Sequence, residues 1–316
     1  MAEFLTIGEP LVVFASENVD ASLTDATDFK KYLAGAELNV AIGVSRLGHS
    51  SEYISAVGED PFGEFVKKTI EKNNVGTTYL GSNENYWTGY YLKQKISKGD
   101  PATYYFRCNS AASHFDASVL NTINFDEVKF AHLSGIFAAL SDGNRESEFT
   151  LFKMLHEHGT KVTFDPNLRP TIWKSHESMV KVTNELAKLA DIVLPGINEG
   201  EVLMGSRDPE EISDFYLKQG TNTQTVVVKL GTAGAFIKQK DGKKFHVPGF
   251  KVDQVIDTVG AGDGFAVGLI SGLIEGLPMQ EAAKRGCAIG ALAVMSPSDN
   301  GGYPTPEQLK EFYANN

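Results

Sequence analysis

Asp257-Thr258-Val259-Gly260-Ala261-Gly262-Asp263-Gly264-Phe265 decides how the rest of this 316-residue chain is read. It precedes an apolar helical stretch from Phe265 to Ile274. Small residues let a backbone approach a ligand closely, and a helix start presents unpaired N–H groups to an anion. Asp263 falls where that helix begins. A carboxylate beside an anion hole suits proton removal from a hydroxyl while the hole holds a phosphoryl group. The plainer alternative is a glycine-rich turn with Asp263 as a helix N-cap. The segment is neither a P-loop, because GxxxxGK[ST] occurs nowhere, nor a dinucleotide fingerprint, because its glycines lack the GxGxxG spacing.

Working outward, strand, turn and helix patterns alternate nearly throughout. Phe4–Gly8, Tyr53–Val57, Lys129–Leu133, Lys161–Phe164, Asp191–Leu194 and Thr225–Lys229 are short apolar runs. Helical spacing marks Leu38–Leu47, which ends at Gly48, and Phe62–Asn73, with Pro61 at its start. Ser147–His158 and Ser178–Leu189 are polar helix-like stretches, and the region from Gly262 to Met295 is largely helical. Continuous apolar runs suit a parallel sheet covered on both faces, so repeated βα units predict a doubly wound α/β sandwich. Two regions stand outside that scheme. Leu11–Phe14 with Leu23–Phe29, and Gly89–Arg107, carry strand patterns with no helix between. Tyr90–Ile96 and Thr103–Arg107 flank a turn at Ser97–Asp100, a hairpin signature. These segments predict a small β lid.

Composition narrows the function classes. Apolar residues make up 42% and charged residues 22%, which argues against a disordered or fibrous chain. Met1–Phe14 lacks a basic leader and reads as a first strand, not a signal peptide, and no apolar run is long enough to span a bilayer. Lys and Arg total 29 against 40 Asp and Glu, a net charge of −11. That disfavours nucleic acid or an anionic membrane as partner, and an anionic substrate needs a local basic pocket. Cys108 and Cys287 make neither a disulfide framework nor a metal site, and a cytoplasmic location is the simplest expectation. His156 and His158 splay apart on a helix, and His132 and His246 read as core-edge or surface residues.

The Gly-Ala-Gly-Asp segment resembles the C-terminal signature of the ribokinase-like (PfkB) carbohydrate kinases, and the resemblance covers essentially the whole chain. Ala34-Gly35-Ala36-Glu37-Leu38-Asn39-Val40-Ala41 with Arg46-Leu47-Gly48 is similar to the family's N-terminal signature. Val57-Gly58-Glu59-Asp60-Pro61-Phe62-Gly63 resembles its G-x-D-x-x-G turn. Asn198-Glu199-Gly200-Glu201 resembles its N-x-x-E motif, and Lys229-Leu230-Gly231-Thr232-Ala233-Gly234 its nucleotide-contacting loop. Tyr104-Tyr105-Phe106-Arg107 and Asp165-Pro166-Asn167-Leu168-Arg169-Pro170, with Gly8-Glu9, resemble the subgroup that phosphorylates 2-keto-3-deoxygluconate.

The resemblance implies a three-layer α/β/α sandwich with a mainly parallel sheet. A β lid of residues 11–33 and 86–113 would sit on a domain of residues 1–10, 34–85 and 114–316. It implies phosphoryl transfer from ATP with Mg²⁺ to a small sugar acid at its C6 hydroxyl. Asp263 would be the base, and the N–H groups of Gly260, Ala261, Gly262 and Asp263 the anion hole. Gly8, Gly35, Ala36, Asn39, Tyr91, Tyr105, Arg107, Asn167 and Arg169 would bind substrate. The two arginines would pair with its carboxylate, since guanidinium matches a carboxylate in shape and keeps its charge. Asn198, Lys229, Gly231, Gly234, Ala261 and Gly262 would contact the nucleotide. Asn198 and Glu201 would hold Mg²⁺ through water, and Asp257 with residues 296–301 would be the candidates for K⁺. Cys287 stands where the family commonly has Asn, which weakens hydrogen bonding to the nucleoside. The lid implies a homo-oligomer, a dimer paired through its strands. A neutral-sugar kinase such as a fructokinase, and a non-catalytic sugar- or nucleotide-binding regulator, are the alternatives.

Overall fold

Thr225–Lys229 is buried on both faces: Val227 packs into one apolar cluster, Val226 and Val228 into another. Successive strand side chains point to opposite faces, so such a run needs helices on both sides. The computed structural model describes residues 2–99 and 101–316. Met1, and Asp100 of the expected Ser97–Asp100 turn, lie outside the described residues.

The central sheet runs Lys244–Val247, Ala235–Gln239, Thr225–Lys229, Ile192–Val193, Lys161–Asp165, Phe130–Ser134, Phe4–Ile7, Ser51–Gly58, Val75–Gly76. Leu80–Asn83 pairs beside the C-terminal half of Ser51–Gly58. Pairing is parallel except for Ala235–Gln239 and Lys244–Val247, an antiparallel hairpin at one edge that the sequence pattern did not signal. Its partly polar strands turn at Gly242, whose φ of 89° favours glycine. Helices Ala36–Arg46, Pro61–Lys72, Ala261–Ile274 and Met279–Ala293 cover one face. Asp142–Glu157, His176–Ala187 and Pro209–Gln219 cover the other. The result is the three-layer sandwich expected.

A separate four-stranded sheet forms the lid, in the order Phe29–Ala34, Leu11–Ser16, Tyr90–Lys93, Thr103–Phe106. Leu11, Val13, Ala34 and Tyr91 make its own small core. The stretch Leu23–Phe29 is not the second lid strand, which begins only at Phe29. The preceding residues turn instead, because the Asn18 side chain accepts the N–H groups of Thr27 and Asp28, each at 3.0 Å. Such local bonds offer backbone an alternative to a ladder. His132 also departs from expectation. It lies buried inside the sheet, 2.9 Å from Thr163 Oγ1, and burial pushes its pKa down to about 4. His246 is exposed.

Candidate active site

The parallel strands end on one side of the sheet, where open α/β folds gather ligands. Asp165 ends one strand and Lys229 another, while Glu9 follows Phe4–Ile7 closely. A cavity of about 840 Å³ opens there and reaches from the lid to the start of helix Ala261–Ile274.

The glycine-rich turn is built to expose that helix start. Gly260 adopts φ 81°, and an added Cβ would lie 2.0 Å from the Asp299 carbonyl oxygen. No other residue type fits there without backbone movement. The Tyr303 hydroxyl donates to the Gly260 carbonyl at 2.9 Å. Gly262 faces the cavity, where its added Cβ would meet only the Lys229 ammonium, at 3.7 Å. First-turn N–H groups have no partner within their helix. The helix start and Lys229 therefore enclose a place for an anion. Lys229 is ion-paired with the buried Asp165. Burial works against its charge, but Asp165 and Glu199 outweigh that and raise its pKa.

Asp263 lies within this cradle. Its Oδ2 accepts from Asn39 Nδ2 at 2.9 Å, and its Oδ1 faces Asn167 Nδ2 at 3.5 Å. Asn300 Nδ2 donates to Asn39 Oδ1 at 2.9 Å and so fixes which end of that amide turns to the carboxylate. Asn167 is held at φ 41°, its N–H donating to Asp165 Oδ1 at 3.1 Å. Burial raises the Asp263 pKa to about 6, opposed by the Asn39 bond and assisted by the charge of Asp165. A carboxylate with that pKa is mostly ionised at neutral pH yet basic enough to take a proton from a hydroxyl.

The two expected arginines of the cavity differ. Arg169 is exposed at the cavity wall; its Nη1 donates to the Leu168 carbonyl at 3.0 Å, and it has no carboxylate partner among the described residues. Arg107 is buried and paired with the fully buried Glu9, its Nε donating to Oε2 at 2.7 Å. Its charge is already balanced, so the free guanidinium of this pocket is Arg169. Tyr91 and Tyr105 pack with centroids 4.8 Å apart and ring planes tilted by 31°, and the Tyr91 hydroxyl faces Asp299 Oδ2 at 3.5 Å. Gly35, at φ 132°, and Ala36 line the cavity beside them.

Two expected residues stand elsewhere. Gly8 does not line the cavity; an added Cβ would lie 2.2 Å from Glu37 Oε2, so it makes room for a buried acid. Glu201 points to solvent and pairs with Arg207 at 2.8 Å. The carboxylate facing the cavity is Glu199, one residue after Asn198. It accepts from the Gly196 N–H at 2.7 Å and the Leu168 N–H at 2.9 Å. Burial, with the charge of Asp165, raises its pKa. A capping-box spacing between Gly196 and Glu199 was the available sequence signal.

At the end of the cavity away from the lid, Gly231 leaves open space above it, while an added Cβ at Gly234 would lie 2.0 Å from the Val247 carbonyl. Cys287 lines the same end, and burial pushes its thiol up to about 11, so it presents a neutral, weakly polar group. Asp165, Glu9, Glu37 and Asp299 also line the cavity. Asp165, Glu9 and Glu37 stood inside motifs quoted above without a role of their own, and Asp299 lies in the 296–301 segment named for K⁺. Only the fold brings the four together.

The profile of the pfkB family carbohydrate kinases matches residues 1–306. A relative from Bacillus subtilis (strain 168), 2-dehydro-3-deoxygluconokinase, is 42% identical over 309 residues, covering 98% of this chain and 94% of the relative. Among solved structures, the PfkB protein of Polaromonas sp. JS666 is 36% identical with a TM-score of 0.88, covering 98% of this chain and 99% of that one. An uncharacterized sugar kinase of Pyrococcus horikoshii, solved in complex with ATP, is 30% identical with a TM-score of 0.79, covering 98% and 97%.

Proposed function

The chain belongs to the pfkB family of carbohydrate kinases, and from that premise we propose that it phosphorylates 2-keto-3-deoxygluconate at the C6 hydroxyl. ATP is the donor, and the products are 2-keto-3-deoxy-6-phosphogluconate and ADP. One observation carries the reading: a carboxylate, Asp263, stands in a helix-start cradle within the same cavity as a guanidinium free of any carboxylate, Arg169.

Arg169 holds the substrate carboxylate at the cavity wall, which turns the far hydroxyl toward Asp263. Asn39 and Asn167 aim the Asp263 carboxylate, which takes the C6 hydroxyl proton as the oxygen attacks phosphorus. The N–H groups of the first helical turn, with Lys229, bind the transferring phosphoryl oxygens. Closure of the lid excludes water and limits wasteful hydrolysis of ATP. Asn198 and Glu199 are the residues suited to hold Mg²⁺. Both backbone-bonded oxygens of Glu199 are engaged, which suits contact through the ion's own water shell. When bound, the ion neutralises charge between the phosphates.

A homodimer through the lid goes with this reading. Thr103–Phe106 is the edge strand of the lid sheet, and it exposes Tyr104 and Phe106. An apolar edge of this kind favours a covering partner. Among the described residues no helix is long and apolar enough to cross a membrane. Use of ATP supports a cytoplasmic site of action.

The test is initial-rate ADP release with MgATP and, in parallel, 2-keto-3-deoxygluconate, its galactonate epimer, fructose and ribose. The expected result is a kcat/KM at least about tenfold higher for a keto-deoxy acid than for either neutral sugar, a difference of about 1.4 kcal/mol. The product should carry phosphate on C6 by NMR. A preference for fructose or ribose overturns the substrate assignment and leaves the kinase chemistry.

A further inference from the structure

One buried cation has no part in the chemistry described above. Lys93 ends the lid strand Tyr90–Lys93 and is only 8% exposed. Its ammonium is ion-paired with Asp257, at the start of the glycine-rich turn. The other oxygen of Asp257 accepts the Val259 N–H at 3.0 Å, next to Gly260. On the far side of Gly260 stands Asp299, whose carbonyl leaves no room for a Cβ there. Asp257 and Asp299 thus bracket the turn that exposes the anion hole. Tyr91 and Lys93 are two residues apart on one strand, so both project from the same face, Tyr91 toward Asp299 and Lys93 onto Asp257. The charges of Asp257 and Asp263 both bear on the buried Asp299, and the charge of Lys93 opposes them there.

This arrangement bears on the expected K⁺ ion. An alkali cation held by Asp257 would share that carboxylate with the Lys93 ammonium, two like charges on one half-buried group. The residues present therefore do not fit the ion. We propose that Lys93 is a positioning residue whose ammonium takes the place of a monovalent metal ion, tying the lid to the anion-hole turn and freeing the enzyme from K⁺. The proposal rests on the phosphotransfer reading, because it assigns Lys93 an effect on that reaction.

Three measurements test it. Wild-type turnover is compared in potassium, sodium and tetramethylammonium chloride at equal ionic strength, and should vary by less than twofold. Lys93→Met in tetramethylammonium chloride should lose at least tenfold in kcat with little change in the Kd of a fluorescent ATP analogue. K⁺, ammonium or the alternative variant Lys93→Arg should recover at least fivefold of that loss. Thermal unfolding without substrate gives a readout independent of turnover: K⁺ should raise the Tm of Lys93→Met by at least 2 °C and leave wild type unmoved. Activation of wild type by K⁺ beyond fivefold overturns the proposal. So does a Lys93→Met variant that keeps kcat within twofold, or one whose loss no cation and no arginine recovers. Absence of wild-type turnover on every sugar counts against the kinase reading alone, and the Tm comparison then decides the role of Lys93.

Discussion

Replacing Asp263 by Asn should make the protein a far poorer enzyme and a more stable fold. A general base contributes about 10²–10⁴-fold to turnover, so on the role proposed for Asp263 the kcat of Asp263→Asn should fall by that factor. The stability effect follows from burial. The pKa of Asp263 rises from 3.8 to about 6 in the folded chain. Unfolded chain ionises first, so the charged folded form is disfavoured by about 2 pK units, or about 3 kcal/mol as an upper bound. This cost is absent below pH 4, grows as pH rises from about 4 to 6, and is complete above 6. The amide oxygen of Asn can still accept from Asn39 Nδ2, so the main packing contact survives. At pH 7.5 the variant should melt about 2–5 °C higher than wild type, given the unfolding entropy of a chain this long. At pH 4 the difference should vanish. Kinetics supply the second check: wild-type kcat/KM for the free enzyme should fall tenfold per unit below about pH 6, and the residual activity of the variant should lack that limb. Turnover above a tenth of wild type removes Asp263 as the base. A variant melting lower than wild type at pH 7.5 refutes the burial argument.

Other substitutions separate binding from scaffold. Arg169→Ala should lower kcat/KM for the keto-deoxy acid by about 30-fold, about 2 kcal/mol; it sits at the exposed cavity wall, so the low end of the range for a lost charge partner applies. Initial rates with fructose should stay within about twofold, since no carboxylate is involved. Glu9→Ala leaves the buried Arg107 without its counter-ion and should cost about 3–5 kcal/mol in urea unfolding. An unchanged midpoint there returns Arg107 to the role of a free substrate-binding cation. Gly260→Ala meets a positive φ and a carbonyl at 2.0 Å, so the anion hole should distort: turnover and ATP-analogue affinity should both fall, with at least about 1–2 kcal/mol lost in stability from the left-handed backbone alone.

Sequence by itself determined the layers of this protein. Runs such as Thr225–Lys229 are apolar at consecutive positions, and only a strand covered on both faces can bury them. It also determined the glycine-rich turn at the start of helix Ala261–Ile274, because Gly260 and Asp263 occupy a contiguous segment whose geometry is local. Tertiary structure decided what depends on distant pairing. Arg107 and Arg169 read alike in sequence, yet Glu9, 98 residues away, balances one and leaves the other free. The N-x-x-E spelling pointed to Glu201, whereas the helix turns Glu201 to solvent and Glu199 to the cavity. Lys93 and Asp257 are 164 residues apart, and no local pattern joins them. Periodicity reports which face of an element is apolar. The charge state of a buried group depends on which opposite charge the fold places beside it, and that is set by the whole chain.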